Sequence, residues 1–392
     1  MPNLADQNIC TGCTACMSIC PKNCIEMQKD DNGFNFPEVT NPSACIECDA
    51  CKQICPVLTE RKSVTHNLPV AYAAFSNDEL LRMDSSSGGI FSEIAKVIFE
   101  KQGAVYGAAY NESFEVYHQC IEDFADIYKL RGAKYSESSL ENTFSEILER
   151  LKRGQGVLFA GTPCQVAGLK KFVRKDYDNL ICIDFVCHGV PSPVAWKEYI
   201  NFRAKEDASG QLPIAINLRA KHTGWSNYQY SNMFQYEDGI TNSTVSSRSL
   251  FMKLFVGDYI SRSSCETCRF KGYQRVSDIT LGDFWGIWEI APEMDDNKGT
   301  SVVLLQSEKG KLLWEEIKDK IVFKQVTLEQ ASQENQSMLA ASKAKENRAE
   351  ILNQIREGRI GECEELFVQE MPSLAERIRG KVERLIHKVL GD

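Results

Sequence analysis

The spacing of apolar and polar residues predicts strands that alternate with helices through the middle of the chain. Residues 90–101 carry apolar side chains at the 3.6-residue period of a helix, and Gly103 stands where a helix would end. Short apolar runs before and after it have the length of buried strands. The predicted strands cover residues 70–75, 104–110, 157–160, 180–186, 279–281 and 302–305, and further helices cover residues 142–152 and 194–202. This alternation is typical of an α/β domain with a mainly parallel sheet.

Two other regions depart from this alternation. Residues 214–218, 228–234 and 241–246 predict a less regular β region, and the chain beyond residue 325 has a polar, charged and helical pattern. The last twenty residues add an apolar stripe with a basic opposite face, formed by Arg377, Arg379, Lys381, Arg384 and Lys388. Such a face could bind an anionic membrane surface or an acidic partner. We favour a docked terminal helix with a solvated face.

The first sixty residues contain two cysteine runs with the same spacing, C-x2-C-x2-C-x3-C-P. The first run consists of Cys10, Cys13, Cys16 and Cys20, and the second of Cys45, Cys48, Cys51 and Cys55. In bacterial two-cluster ferredoxins with this spacing, three cysteines of a run bind one 4Fe-4S cluster and the fourth binds the other. The ligands predicted for cluster one are therefore Cys10, Cys13, Cys16 and Cys55, and those for cluster two are Cys45, Cys48, Cys51 and Cys20.

Zinc and disulfides are the alternative explanations for these runs. Zinc needs four ligands, whereas a third cysteine at the same spacing followed by Cys-Pro is typical of iron–sulfur proteins. Cys24 lies outside the pattern, and we predict that its thiol packs beside a cluster without binding iron. Cys120, Cys182 and Cys363 also follow no pattern and are predicted to be buried free thiols.

The composition is that of an ordinary globular protein, with 392 residues, of which 43% are hydrophobic and 25% charged. The sequence has neither a signal pattern ahead of Cys10 nor a run of eighteen apolar residues, so we expect a cytoplasmic protein without a transmembrane segment. In a reducing cytoplasm, sixteen cysteines favour metal or redox chemistry over disulfides. The net charge of −9 argues against nucleic acid as the main partner.

A third set of cysteines lies in the middle of the chain. It consists of Cys164, Cys187, Cys265 and Cys268. Cys164 and Cys187 each follow a predicted strand, so a parallel sheet would bring them to the same edge, and the C-x2-C pair completes a set of four thiols. Such a set fits a third 4Fe-4S cluster, and spacing alone leaves zinc open.

A turn of small residues, Ser85-Ser86-Ser87-Gly88-Gly89, lies between the first strand of the α/β domain and the helix at residues 90–101. Backbone amides at a helix start suit a phosphate group, and glycine lets it come close. Serine capping of a flexible turn is the alternative. The turn has neither the G-x-G-x-x-G spacing of nicotinamide-binding proteins nor a P-loop pattern.

Six short segments along the chain form a specific combination. They are Ser86-Ser87-Gly88-Gly89, Gly132-Ala133-Lys134-Tyr135-Ser136, Gly161-Thr162-Pro163-Cys164-Gln165, Cys187-His188-Gly189, Cys265-x2-Cys268 and Asp278-x4-Asp283-Phe284-Trp285-Gly286. Together they resemble the coenzyme F420 hydrogenase/dehydrogenase beta subunit family over about residues 1–310. The resemblance implies FAD beside a 4Fe-4S cluster. Some relatives reduce chlorophyll-type pigments with ferredoxin.

The resemblance also implies roles for individual residues. Those that match the family's cluster cysteines are Cys164, Cys187, Cys265 and Cys268; those that match its flavin-side segments are Ser87, Gly88, Gly89, Lys134, Tyr135 and Ser136. A lysine near the flavin ring could favour the anionic reduced form, whereas an exposed lysine would have no such task. His188 is a candidate proton donor, and the alternative is a histidine that only bonds nearby backbone.

We therefore expect three parts in the chain. They are an α+β two-cluster ferredoxin-type domain at residues 1–62, an FAD and iron–sulfur α/β domain at 63–330, and a helical tail at 331–392. The expected function is a flavin-dependent iron–sulfur oxidoreductase that passes electrons between a small-molecule hydride donor or acceptor at FAD and a ferredoxin-like or other redox protein partner. The alternative is a non-catalytic electron-transfer subunit that relays electrons to a partner enzyme.

Overall fold

An eight-stranded mixed sheet lies at the centre of the protein. The structure is a computed structural model that describes residues 2–59 and 68–368. The strands in this part of the chain are β1 (Ile25–Lys29), β2 (Asn35–Val39), β3 (Val70–Ser76), β4 (Ala104–Tyr110), β5 (Val116–Ile121), β6 (Val157–Gly161), β7 (Leu180–Phe185), β8 (Ala215–Ala220), β9 (Ser231–Gln235), β10 (Thr241–Val245), β11 (Ile279–Asp283), β12 (Ser301–Leu305) and β13 (Ile321–Val326).

Helices precede, separate and follow these strands. They are α1 (Ala15–Ile19), α2 (Ala50–Gln53), α3 (Glu79–Met83), α4 (Ile90–Glu100), α5 (Ile127–Leu130), α6 (Thr143–Lys152), α7 (Pro163–Val173), α8 (Pro193–Ala208), α9 (Leu250–Val256), α10 (Ile287–Ile290), α11 (Glu308–Ile317), α12 (Leu328–Ser332), α13 (Arg348–Arg356) and α14 (Glu365–Val368). None of the helices in the described residues combines the length and apolarity needed to cross a bilayer.

The central sheet has the strand order β13-β3-β12-β11-β7-β6-β4-β5. Its four middle strands, from β11 to β4, run parallel, and the remaining neighbouring pairs are antiparallel. A helical crossover such as α7, between β6 and β7, keeps neighbouring strands parallel. The short connection between β4 and β5 reverses the chain, and so does the longer one between β11 and β12, which includes α10. The predicted α/β fold is therefore confirmed for the centre of the sheet, and its edges are antiparallel.

Helices cover both faces of the parallel centre. Along β6, Leu158 and Ala160 pack into a core with α4 and α11, whereas Val157 and Phe159 pack into a core with α6 and α7. Successive side chains of a strand point to opposite faces, so this alternation identifies the two layers. A strand buried on both faces needs a continuous apolar run, which is why β6 could be predicted from its sequence.

Two strands of the central sheet escaped prediction. In β5, the polar residues His118 and Gln119 interrupt the apolar run, and the strand occupies one edge of the sheet. At the other edge, four of the six residues of β13 are exposed. Edge strands bury little surface, so their sequences carry only a weak apolar signal.

The less regular β region is a separate three-stranded antiparallel sheet with the order β10-β9-β8. Phe234 of β9 packs with Trp196 and Tyr199 of α8 and with Phe251 of α9. Helix α13 contributes Ile355 to the same core. The chain after residue 325, predicted to be helical, thus continues the body of the protein, whereas the basic face of the last twenty residues lies outside the described residues.

The cysteine-rich segment has its own antiparallel pair, β1 and β2, with α1 and α2 beside it. It contacts the α/β domain closely at α7, because a Cβ added at Gly168 would lie 2.9 Å from the Cys13 sulfur. The predicted boundary at residue 62 falls outside the described residues. The boundary at 330 stays a prediction, although Met338 beyond it packs with Ala71 and Leu304 of the central sheet.

The serine-glycine turn yields a prediction about stability. A Cβ added at Gly88 would lie 2.3 Å from the Ala74 carbonyl oxygen and 2.9 Å from the Ser301 nitrogen, both backbone atoms. We expect Gly88→Ala to lower the free energy of unfolding by about 3 kcal/mol. The matched control is Gly156→Ala, whose Cβ would meet only the Gly103 Cα, at 3.9 Å. Equal unfolding midpoints of the two variants would contradict the prediction.

Candidate metal centres and cofactor site

The cysteines predicted for cluster one line a common cavity. The lining includes Cys10, Cys13, Cys16 and Cys55, together with Cys51 and apolar residues from both ends of the segment. Burial raises the pKa of the Cys10 and Cys13 thiols, and it raises the pKa of Cys16 to about 12. Thiols in such surroundings stay protonated unless a strong local positive charge such as iron holds the thiolate.

The cysteines predicted for cluster two line a second cavity. Its lining includes Cys20, Cys45, Cys48 and Cys51. Cys51 therefore contacts both cavities, so the two predicted clusters would be immediate neighbours. Cys24 also lines this cavity, and its sulfur lies 3.3 Å from that of Cys20.

Both cysteine runs have the same backbone conformation. Thr14 and Asp49 occupy matching positions, 35 residues apart, with φ angles of 61° and 56°, and each precedes a short helix. Gly12 and Glu47 match in the same way, with φ angles of 68° and 53°. A left-handed conformation costs roughly 1–2 kcal/mol at a non-glycine residue. Its repetition indicates that each loop is held in one required shape around its cavity.

The third set of cysteines gathers at the carboxyl edge of the parallel strands. Cys164 lies in the first turn of α7, which Thr162 and Gln165 fix through reciprocal capping hydrogen bonds. Cys187 follows β7, the neighbour of β6. Burial raises the pKa of Cys164 to about 12. Burial also raises the pKa of Cys265. A Cβ added at Gly189, two residues after Cys187, would lie 3.6 Å from the Cys265 Cβ, so these two parts of the set are neighbours.

The third set lies beside the first cavity. Cys164 and Cys268 pack against a small apolar cluster formed by Val57, Ala167 and Phe270, and Cys55 packs against the same cluster. Within the described residues, no group of three or more His, Cys, Asp or Glu side chains is arranged to hold a single metal ion.

The serine-glycine turn is tied to the central sheet. The Gly88 amide donates to Ser301 Oγ at 2.9 Å, and Ser87 Oγ donates to the Thr300 carbonyl at 2.9 Å. Gly89, with a φ of 85°, is the N-cap residue directly before α4. The Gly88 amide is thus engaged within the protein, and close contact with β3 requires a glycine at this position.

The segment containing Lys134, Tyr135 and Ser136 comes close to this turn. Lys134 Nζ donates to three backbone carbonyls at 2.8–3.4 Å, and burial lowers the pKa of this amine to about 7. Tyr135 accepts a hydrogen bond of 3.3 Å from Arg219, which also contacts the Ser86 carbonyl at 3.4 Å. Ser136 donates its amide to the Lys134 carbonyl at 3.0 Å. Arg219 therefore connects the two predicted segments.

Arg219 is the central residue of this region. Its guanidinium group makes two hydrogen bonds of 2.7 and 2.8 Å to Asp283, and it lies 3.9 Å from the centre of the Tyr230 ring. Its Nε is buried without a hydrogen-bond partner. Trp285 stacks on Trp225, with 4.7 Å between ring centres. The site thus combines a buried cation with stacked aromatic rings, a chemistry that fits a flat, electron-accepting ring system.

A second buried cation lies beside the serine-glycine turn. Lys221 donates to the carbonyls of Ser87 and Arg82, both at 2.6 Å. Burial, together with the charges of Arg82 and Arg219, lowers the pKa of Lys221 to about 7. Sequence reasoning missed Arg219 and Lys221 because β8 has no clear alternation, whereas Asp283 and Trp285 belong to a segment that the sequence singled out.

His188 lies between the third cysteine set and this region. Its Nε2 lies 2.7 Å from Asp258 Oδ1, and its Nδ1 lies 3.2 Å from Ser337 Oγ. Its ring also packs edge-on against Phe255 at 5.0 Å. Both ring nitrogens thus bond groups of the protein, as expected for a histidine that positions its neighbours.

Comparison with known proteins gives two matches along the chain. Residues 154–331 match the coenzyme F420 hydrogenase/dehydrogenase family, in the part described as the C terminus of the beta subunit, and residues 9–58 match the 4Fe-4S dicluster domain. Among curated proteins, none matches the chain. A chain of the F420-reducing NiFe hydrogenase complex from Methanosarcina barkeri has 14% identity and a TM-score of 0.45, with 79% of this chain and 95% of that chain covered. That likeness is too distant to support an argument.

The Arg219 pair yields a second prediction. Arg219→Met would leave the Asp283 carboxylate, whose side chain is only 19% exposed, without its partner. We expect a loss of about 3 kcal/mol in the free energy of unfolding. The double variant Arg219→Met/Asp283→Leu should recover more than half of this loss, because it removes the unpaired charge as well. A double variant no more stable than the single one would contradict this account, and Lys101→Met, in an exposed pair, is the control.

Proposed function

The chain belongs to the coenzyme F420 hydrogenase/dehydrogenase beta subunit family and carries a 4Fe-4S dicluster domain, and on this basis we propose that it is a flavin-dependent iron–sulfur oxidoreductase. It would pass electrons between a two-electron carrier at FAD and a ferredoxin-like partner. The sites involved are the two N-terminal clusters, a third 4Fe-4S cluster on the middle cysteines, and a flavin near Arg219.

A continuous series of contacts between these sites is the observation that supports the proposal most strongly. Cys51 joins the two N-terminal cavities, and the apolar cluster around Phe270 joins Cys55 to the third cysteine set. From Cys187, the neighbouring His188 packs against Phe255 at 5.0 Å. Phe255 then packs against Tyr135 at 5.3 Å, and Tyr135 bonds Arg219. Every predicted redox site therefore touches the next one through buried or half-buried side chains.

The two ends of this series differ in exposure. Cys48 in the second cavity is exposed, and its neighbour Ile46 is 57% exposed. At the other end, Arg219 and Trp225 are buried. An exposed cluster edge with an apolar residue suits transient contact with a redox protein, whereas a buried aromatic site suits a cofactor. The second cavity is therefore the proposed contact for the protein partner.

Several residues have the chemistry needed to hold a flavin. Stacked rings at Trp225 and Trp285 offer a surface for a flat ring system, and the Arg219 guanidinium, together with Lys221 in its protonated form, would favour negative charge on it. When bound, a flavin exchanges two electrons with an organic carrier and single electrons with an iron–sulfur cluster. Asp283 would keep the Arg219 guanidinium oriented through its two hydrogen bonds.

A relay subunit without its own substrate site is the second candidate function. The hydrogen bonds of Lys134 and His188 favour this function. Lys134 donates to three backbone carbonyls, and both ring nitrogens of His188 bond other groups of the protein. Neither side chain would then have to act as a proton donor. In this case the flavin site would receive electrons from a partner enzyme and not from a small molecule.

Cofactor content tests the proposal directly. Protein purified without oxygen should contain about twelve iron atoms and about one FAD per chain. Cys164→Ser should lower the iron content to about eight atoms, because the third cluster loses a ligand. The control is Cys120→Ser, outside every predicted ligand set, which should keep the full content. About eight iron atoms with one zinc in the unaltered protein would contradict the third cluster.

Reduction of the flavin separates the two candidate functions. If the protein is an oxidoreductase with its own substrate site, a two-electron carrier such as a reduced nicotinamide or deazaflavin should bleach the flavin absorbance of the isolated chain. If it is a relay subunit, bleaching should require a reduced protein partner. Flavin absorbance in the presence of each donor is the measurement, and Lys101→Met, in an exposed ion pair, is the control variant that should retain the response.

A further inference from the structure

One buried arginine contacts both the dicluster segment and the third cysteine set. Arg262 is 1% exposed and lies three residues before Cys265. Its Nε donates to the Cys10 carbonyl at 2.8 Å, and its Nη2 donates to the Asn35 carbonyl at 2.9 Å. The Cys265 amide donates in turn to the Arg262 carbonyl at 3.0 Å. Arg262 thus forms hydrogen bonds with the loop that carries Cys10 on one side and with the loop that carries Cys265 on the other.

The charge of Arg262 is balanced by one carboxylate. Glu137 accepts from Arg262 Nη1, and both the amide and the side chain of Asn35 donate to the same carboxylate, at 2.8 and 2.9 Å. Glu137 is 8% exposed, so water screens this pair weakly. The rings of Phe36 and Phe34 lie over the guanidinium group at 4.0 and 5.4 Å. The pair is therefore a fixed dipole in apolar surroundings.

The cysteine segment makes room for this side chain. Gly12, between Cys10 and Cys13, has a φ of 68°, and a Cβ added there would lie 3.2 Å from Arg262 Nη1 and 3.0 Å from the Asn35 carbonyl oxygen. A glycine at this position lets the guanidinium group come close to the first ligand loop.

We propose that Arg262, with Glu137 as its counter-charge, is a positioning residue that sets the reduction potentials of cluster one and the third cluster together. Reduction adds one electron to a cluster and breaks no bond, so the cluster gains one negative charge. A fixed positive charge stabilises that state, since cluster potentials depend on nearby charge and hydrogen bonding. The inference rests on the proposed function only in assuming iron at the third cysteine set.

We expect substitutions of Arg262 and of Glu137 to shift the reduction potentials in opposite directions. Arg262→Met removes the positive charge and should make reduction of cluster one and the third cluster at least tenfold less favourable, which is about 59 mV for a one-electron couple. Glu137→Gln removes the opposing negative charge at almost unchanged volume and should shift both potentials upward. Arg262→Lys keeps the charge and should stay closer to the unaltered protein than Arg262→Met. The reduction potential of cluster two, which lies beyond Cys51, should shift least in all three variants.

The measurement is a dithionite titration of the full chain with redox mediators, followed by electron paramagnetic resonance. The same titration in a Cys164→Ser background leaves the two N-terminal clusters alone and so assigns the signals. Arg203→Met, which breaks another largely buried pair, is the control and should leave the potentials unchanged. If Arg262→Met does not fold, Glu137→Gln and Arg262→Lys decide the question.

The proposal would be overturned by shifts of the same sign in Arg262→Met and Glu137→Gln, by equal shifts of all clusters, or by no shift in either variant. A same-sign shift would mean that loosened packing, and not charge, changes the potentials. If the unaltered protein binds only two clusters, the third-cluster assignment fails, while the cluster held by Cys10 still reports the effect of Arg262. The two failures are therefore distinguishable.

Discussion

The structure depends on the packing of one helix between two sets of thiols. Helix α7 carries Cys164 in its first turn, and Gly168, one turn later, lies against Cys13 of the first cavity. A side chain at Gly168 would collide with Cys13, so the distance between the two cysteine sets is fixed by the backbone of a single rigid element. The sheet sets where α7 begins, and the helix then sets where the dicluster segment docks.

Sequence reasoning was most specific where a local pattern has only one physical solution. The cysteines that the repeated spacing assigns to each N-terminal cluster line one cavity, and their role as ligands stays a prediction. Buried strands such as β6 were equally clear, since both faces must be apolar. The neighbourhood of Cys164 and Cys187 followed from parallel pairing of β6 and β7, which is a rule of topology.

Ion pairs between residues that lie far apart in the sequence could not be predicted. Arg219 bonds Asp283, 64 residues away, and Arg262 bonds Glu137, 125 residues away. Neither arginine lies in a motif, and a charged residue in a strand or loop is more often solvated than buried. The serine-glycine turn shows the opposite case. Its glycines suggested an anion site, yet Gly88 is a glycine because the backbone of β3 leaves no room for a Cβ.

The two cysteine runs differ most informatively at one pair of matched positions. Gly12 and Glu47 share a left-handed backbone, yet only Gly12 faces the Arg262 side chain, whereas Glu47 is exposed. In the first loop a Cβ would be crowded by the Asn35 carbonyl oxygen of the same segment and by the Arg262 side chain of the α/β domain, whereas in the second loop the Glu47 side chain is exposed. An apparent repeat in the sequence therefore encodes an asymmetry. The run that contains Gly12 faces the α/β domain, and the run that contains Glu47 faces the solvent.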